Sequence, residues 1–489
     1  MHFPKKDTSD SSRMRAGYWV KNSENYLDKT FEVEDPATGM LIADVADTGP
    51  QQWREALDCA SDAAPRLSNT TLRERADVLS EIYRQIIDFK DELAELITYE
   101  MGKPLAEARQ EVDYGAEYFH WFAGEASRIG GRTSVSPSGN GTILTTKHPV
   151  GPVLAITPWN FPFSMISRKI APALAAGCPV ITKPAAETPL TLLYLVKLTS
   201  RVLADYGMPK GVISALPTLD AAGLSQFFMG DSRVAKVTFT GSTAVGKILV
   251  KQSAQHLQRT SMELGGNAPF LVAADANLDL AVECAVQAKL RNGGQACIAV
   301  NRFIVQESLV EEFESRLVER LKDVKWGNGF DVGVTLGPII TSKQRERIAQ
   351  LVDEAVAEGA RLSVGGFVPD GKGYFYPATL LADVSARSRI FNEEIFGPVV
   401  TLTRFSDLSE GIALANSTPF GLAAYGFTES LATSQRLARE LQAGMVGINK
   451  SGISDPAAPF GGIKESGFGR EGGLEGIEDY LELKYVALP

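Results

Sequence analysis

The chain has 489 residues, 44% hydrophobic and 22% charged, with a formal net charge of −10. Such length and composition predict a soluble globular protein of about two to four structural units with a large core. The acidic balance, spread without long charged blocks, argues against a nucleic-acid partner, and no run approaches the roughly 18 uninterrupted apolar residues of a membrane span.

From the N-terminus, Met1-His2-Phe3-Pro4-Lys5-Lys6-Asp7 lacks the apolar core of a secretion leader, and Asp7 and Asp10 count against an import peptide. The four cysteines, Cys59, Cys178, Cys284 and Cys297, are far apart and form no CxxC pair. Neither a zinc site nor a dithiol redox site is signalled, and a cytoplasmic, reducing compartment is expected.

Residues 50–128 read as helices. Thr71 and Glu74 have the spacing of a capping box, and Leu72, Ala76, Leu79, Tyr83, Ile86 and Ile87 follow at roughly helical spacing, a stripe expected to be core. Residues 129–147 are rich in Gly, Ser and Thr and then alternate like an exposed hairpin. From about 148, short apolar runs alternate with helical stretches. Strands are expected at 153–156, 179–182, 212–214 and 235–239, with helices at 164–176, near 189–206 and from about 243. That alternation predicts an open, mostly parallel sheet with helices on both faces. A second α/β region follows from 260 to 450, including Pro269-Phe270-Leu271-Val272 and Arg302-Phe303-Ile304-Val305. Residues 470–489 end in a strand-like tail, Leu481 to Val486. This tail and the 129–147 hairpin are expected to pair with another subunit, because open strand edges seek partners.

Four segments carry candidate chemistry. Cys297 ends Arg291-Asn292-Gly293-Gly294-Gln295-Ala296-Cys297. A lone cysteine is usually a small buried hydrophobe, but the glycines before it allow close backbone approach to a ligand, and a nearby N–H suits an oxyanion. Glu263, in Ser261-Met262-Glu263-Leu264-Gly265-Gly266-Asn267, reads either as an ordinary strand-end glutamate or as a desolvated general base. Thr157-Pro158-Trp159-Asn160-Phe161-Pro162 forms a rigid turn at the end of a strand. Ligands of doubly wound sheets bind there, and the Asn160 amide is a candidate oxyanion donor. Gly241-Ser242-Thr243-Ala244-Val245-Gly246-Lys247 follows a strand and opens a helix, as a phosphate site requires. It also resembles a P-loop, although Ile248 replaces the magnesium-binding hydroxyl. The four histidines have no metal-ligand spacing, and no GxSxG elbow is present.

Together these segments resemble the aldehyde dehydrogenase superfamily. The likeness runs from Asp35-Pro36-Ala37-Thr38-Gly39 to the tail, with TPWNFP, the KPA at Lys183, FTGSTAVG, MELGGN, GGQAC, the EEIFGPV at Glu393 and the PFGGIKESGFGRE at Pro459 in the family's order. It implies two doubly wound, Rossmann-like α/β domains, with residues 1–128 and 148–259 binding the cofactor and 260–450 carrying catalysis. It adds a β-strand oligomerisation segment from 129–147 and 470–489, and a homodimer or homotetramer. It implies Cys297 as nucleophile, Asn160 and the Cys297 N–H as oxyanion donors, and Glu263 as the base that activates water. Cofactor contacts are expected from Thr157, Pro158, Trp159, Lys183, Ala186, Gly241, Ser242, Gly246, Glu394 and Phe396. Within the superfamily the chain most resembles succinate-semialdehyde dehydrogenases. Arg168, Arg291 and Ser454 match the clamp that holds a substrate carboxylate there, and arginine forks suit carboxylates. Glutarate semialdehyde and 2-oxoglutarate semialdehyde are the alternatives. Where NAD-preferring relatives carry a ribose-binding glutamate, this chain has Ala186, so NADP is expected to be at least tolerated and slightly favoured over NAD. Ala299, two residues after Cys297, excludes a local disulfide switch.

Overall fold

The computed structural model describes residues 13–489; the expectations drawn from Met1 to Asp7 and from Asp10 lie outside them. Two largely parallel sheets dominate, with helices on their faces. In the first, Val153–Ile156, Val180–Lys183 and Ile213–Ala215 run side by side, while Lys236–Thr240 and Arg259–Glu263 extend the sheet from the other edge of Val153–Ile156. These strands are buried along most of their length, as strands covered on both faces should be. Tyr18–Val20 and Ser23–Asn25 add an antiparallel edge, and Gly467–Phe468 closes the opposite one against Glu263. The strand order reverses between Val153–Ile156 and Lys236–Thr240. A crevice opens beyond the carboxyl ends of strands at such a switch point, and the loops beginning at Thr157 and Gly241 emerge there.

The second sheet has Ala268–Val272 between Val300–Gln306 and Ala423–Phe427. Its core gathers Phe270, Phe303, Phe313, Tyr425 and Phe427, with Phe270 stacked on Phe427 at 4.4 Å. The chain passes from one sheet to the other through Leu264 to Asn267. The boundary expected between residues 259 and 260 is therefore displaced, because backbone hydrogen bonds tie Arg259–Glu263 to Lys236–Thr240.

The helical region forms Pro50–Ser68, Leu72–Asp88, Lys90–Met101 and Leu105–Ala126. Thr71 accepts from the Glu74 N–H at 3.1 Å, and the Glu74 carboxylate accepts from the Thr71 N–H at 2.7 Å, a reciprocal cap. Ala76, Leu79 and Ile86 are buried as expected. Ile87 is exposed instead, and Val78 and Ile82 fill the core beside Leu79 and Ile86, because the helical period places them on that face. Thr133–Val135 and Thr142–Pro149 form the expected hairpin, and Leu481–Leu488 pairs with Thr142–Pro149 along its whole length. Expected to seek another subunit, the two segments pair with each other, leaving both outer strands as open edges. Val135, Leu483 and Tyr485 are exposed on this small sheet. Among the described residues no helix is long and apolar enough to cross a membrane.

Candidate active site

A cavity of about 410 Å³ lies at the switch point. Pro158, Trp159, Asn160, Gly241 and Ser242 line it from the first sheet, and Cys297, Glu394 and Phe396 from the second. Cys297 also lines a smaller chamber with Tyr114, Arg168, Arg291 and Ser454. That chamber shares Arg291 with a third cavity of about 530 Å³. The three spaces thus share walls in series, with Cys297 between the first and the second.

The loop that carries Cys297 is held in an unusual conformation. Asn292, Gly293 and Gly294 have φ of 55°, 61° and 70°, a left-handed run that glycine adopts readily. At Gly294 a side chain would also collide, its Cβ lying 2.2 Å from the Gly397 carbonyl oxygen. Asn292 lacks glycine's freedom and is pinned instead. Its N–H donates to Glu107 at 2.7 Å, and its amide donates to the carbonyls of Asn160 at 2.8 Å and Gln295 at 3.1 Å. Asn160 returns the link, donating Nδ2 to the Gln295 carbonyl at 2.9 Å. An amide nitrogen carries two hydrogens, so one remains free on Asn160 Nδ2.

Burial pushes the Cys297 thiol up to about 12; Glu394 and Glu263 add to the rise and Arg168 opposes it. Glu263 is buried, and neither carboxylate oxygen has a hydrogen-bond partner. Desolvation first, and then the charge of Glu471, lift its carboxyl well above the ordinary range against Arg168, Lys169 and Arg470. A desolvated carboxyl with free oxygens is suited to taking a proton from water. Glu471 itself is ion-paired with both Arg168 and Lys169. Glu394 is raised to about 7 by burial, opposed by a hydrogen bond from the Gly266 N–H at 3.1 Å.

In the smaller chamber, Arg168 is wholly buried and its Nη2 has no hydrogen-bond partner. Its guanidinium lies over the Phe460 ring at 4.3 Å, and that of Arg291 over Phe161 at 5.1 Å. Ser454 Oγ is bonded to the Tyr114 hydroxyl at 2.5 Å. The three residues expected to clamp a carboxylate therefore share one chamber with Cys297.

The expected cofactor residues divide. Trp159 and Phe396 meet edge to face at 5.4 Å across the 410 Å³ cavity. Ser242 caps the helix Thr243–Ser253, accepting from the Val245 N–H at 3.4 Å, and such a helix start suits a phosphate. Thr157, Lys183, Ala186 and Gly246 are not among the residues lining this cavity. The Thr157 N–H donates to the Lys183 carbonyl at 3.2 Å. Lys183 is buried, its ammonium lowered by desolvation and supported by Glu187. Ala186 packs against the first core, and Gly246 abuts Leu264. Lys247 is paired with Glu465 at 2.9 Å and Ile248 is exposed, so the P-loop resemblance ends at the sequence. Among the described residues no cluster of three His, Cys, Asp or Glu side chains could hold a metal ion.

The model of the aldehyde dehydrogenase family matches residues 19–486. The chain belongs to the aldehyde dehydrogenase family. This aldehyde dehydrogenase is 44% identical to a probable succinate-semialdehyde dehydrogenase [NADP(+)] of Sinorhizobium fredii, over 94% of this chain and 92% of that one. It is 43% identical to a glutarate-semialdehyde dehydrogenase of Pseudomonas aeruginosa, over 96% of both chains. The crystal structure of a succinate-semialdehyde dehydrogenase from Burkholderia pseudomallei superimposes with a TM-score of 0.95 at 41% identity, covering 99% of each chain.

Several residues around the dehydrogenase site escape sequence reasoning. Gln344, Arg347 and Asn392 line the larger cavity at the switch point, and Arg347 donates to the Glu394 carbonyl at 3.0 Å. Lys103 and Glu111 lie behind the Asn160 turn, and Tyr118 lies behind Tyr114, which lines the smaller chamber. One signal was available: Glu107, Glu111, Tyr114 and Tyr118 recur on one face of Leu105–Ala126, a polar stripe where a core stripe is expected.

Proposed function

We propose that this dehydrogenase oxidises succinate semialdehyde to succinate, with glutarate semialdehyde as the nearest alternative. The observation that carries the reading is Arg168: a buried guanidinium with an unpartnered Nη2, in one chamber with Cys297, Arg291 and Ser454. Glu471 already meets the charge of Arg168 on its Nε side, so what is left over is the buried Nη2 donor, whose remaining partner is an anion in the chamber. The names of the Sinorhizobium and Pseudomonas relatives support a substrate with a second, acidic end.

In this reading Cys297 adds to the aldehyde carbon, and the free hydrogen of the Asn160 amide and the Cys297 N–H hold the oxyanion. The 410 Å³ cavity fits a nicotinamide dinucleotide: it has a helix start for phosphate, aromatic walls from Trp159 and Phe396, and the Glu394 carboxylate. When bound, the nicotinamide supplies the hydride acceptor. Glu263 then takes a proton from the water that releases the acid from its thioester with Cys297, so one hard oxidation becomes two easier steps. NADP is favoured over NAD, since Ala186 puts no carboxylate against a 2′-phosphate and Lys183 is close in sequence. The open, partly apolar edges of the small sheet support assembly into a dimer or tetramer, and four free cysteines suit a reducing, cytoplasmic setting.

The test is nicotinamide reduction with succinate semialdehyde, glutarate semialdehyde, butyraldehyde and benzaldehyde, each with NAD and NADP, repeated with Cys297→Ala. A kcat/KM for succinate semialdehyde far above that for butyraldehyde supports the clamp. Equal turnover of the uncharged aldehydes removes it, and turnover that survives Cys297→Ala removes the catalytic assignment.

A further inference from the structure

Three hydroxyls stand in a chain that runs from the wall of the anion chamber into the interior. Tyr118 OH and Tyr114 OH are 2.7 Å apart, and Tyr114 OH and Ser454 Oγ 2.5 Å. Tyr118 is wholly buried, and among the described residues Tyr114 is its only hydrogen-bond partner. Ser454 is half-buried, lines the chamber that holds Cys297, and has Tyr114 as its only partner.

Each hydroxyl has one hydrogen to donate, so Tyr114 cannot donate twice and three arrangements remain: two that run in one direction, and a convergent one in which Tyr118 and Ser454 both donate to Tyr114, which leaves the Tyr114 hydrogen over and loses the reinforcement of successive donation. If Ser454 donated to Tyr114 and Tyr114 to Tyr118, the Tyr118 hydrogen would be buried with no acceptor, which costs the full desolvation of a polar group. In the other direction Tyr118 donates to Tyr114, Tyr114 donates to Ser454, and every buried hydrogen is used. The Ser454 hydrogen is then left over, and its remaining acceptor is whatever occupies the chamber.

We infer that Tyr118 is a positioning residue that fixes the direction of this chain and so presents Ser454 to the substrate as a hydrogen-bond donor. Resting on the carboxylated-aldehyde reading, this adds a third donor to those of Arg168 and Arg291. Successive donation along one direction also strengthens each bond in the chain. The rings of Tyr114 and Tyr118 meet edge to face at 5.4 Å, a contact that phenylalanine preserves, so Tyr118→Phe removes the direction while keeping the packing.

The experiment measures kcat and KM for succinate semialdehyde and butyraldehyde in the unmodified enzyme, in Tyr118→Phe, Tyr114→Phe and Ser454→Ala, and in the double variant Tyr118→Phe/Ser454→Ala. Tyr118→Phe should reduce the preference for succinate semialdehyde about three- to tenfold, the weight of one ordinary hydrogen bond, because the Ser454 hydroxyl is kept and only its orientation is lost, and the loss should appear in KM. In the Ser454→Ala background the same change should add nothing, because the hydroxyl it orients is gone. Tyr114→Phe, which cuts the chain at its middle, should give the same selective loss and serves if Tyr118→Phe is too unstable to purify. Additive losses, or a Tyr118→Phe effect equal for both aldehydes, overturn the inference. No preference in the unmodified enzyme sinks the anion reading and this inference together, whereas a preference that depends on Ser454 but not on Tyr118 or Tyr114 sinks this inference alone.

Discussion

The ammonium of Lys103 donates to the main-chain carbonyl of Asn160 across 2.9 Å, and both residues are buried. The same ammonium is paired with Glu111 at 2.5 Å, and Glu111 accepts from the N–H groups of Phe163 and Ser164 at 2.9 and 3.1 Å. A charge pair between Glu111 of the helix Leu105–Ala126 and Lys103 of the link before it thus grips both ends of the turn that carries the Asn160 amide.

Lys103→Met leaves the Glu111 carboxylate buried without its cation, a change that typically costs about 3–5 kcal/mol. Denaturant unfolding should register that loss. Because the Asn160 turn loses a bond, kcat should fall more than KM rises.

Glu263 trades stability for its role. Burial holds its carboxyl pKa in the folded chain well above the ordinary carboxylate value that applies in the unfolded chain. Between those two values the folded state keeps a proton that the unfolded state has released, so stability falls as pH rises through that window. Glu263→Gln should therefore unfold at a higher temperature than the parent in mild alkali and show no such gain below the ordinary carboxylate range. Its thioester should accumulate as a burst of reduced nicotinamide.

With its thiol pushed up to about 12, Cys297 should react slowly with iodoacetamide at neutral pH. The rate should climb roughly tenfold per pH unit, since only the thiolate attacks. Glu394, raised to about 7, opposes thiolate formation while ionised. Glu394→Gln should speed inactivation above pH 7, and the difference should vanish below it as Glu394 takes up its own proton.

Ala186→Glu places an acid where a 2′-phosphate is expected. Like charges brought together at a binding site cost enough to weaken NADP relative to NAD by at least about tenfold. Steady-state kinetics with both cofactors checks this, and an unchanged ratio places the phosphate elsewhere.

Cys297, Glu263 and Asn160 could be singled out as candidates because each stands at a junction written in glycine or proline, and helix and strand periods located those junctions. Lys103 and Glu111 were not. Their partners, Asn160, Phe163 and Ser164, are some fifty residues away, and a charged residue in a helix, like Glu111, or in the link before it, like Lys103, reads as solvated until its neighbours are known. Glu471 was hidden in the same way, since the second sheet lies in the chain between it and Arg168 and Lys169. The displaced 259/260 boundary has a related cause: local pattern shows that Arg259–Glu263 is a strand but not which sheet accepts it.

Two attachments bound the middle of the tail after Gly467–Phe468, a stretch that also accepts from Trp121 at Gly473 and from Ser261 at Asp479. Glu471 is fastened to Arg168 and Lys169 near Glu263, and Leu481 enters the register of the outer sheet opposite Pro149. The stretch between them is a spacer of fixed length. A strand shifted by one residue turns every side chain to the opposite face, so one residue deleted there must break either the ion pairs or the register. Change in this part of the chain is therefore confined to substitution: its letters can vary while its length cannot.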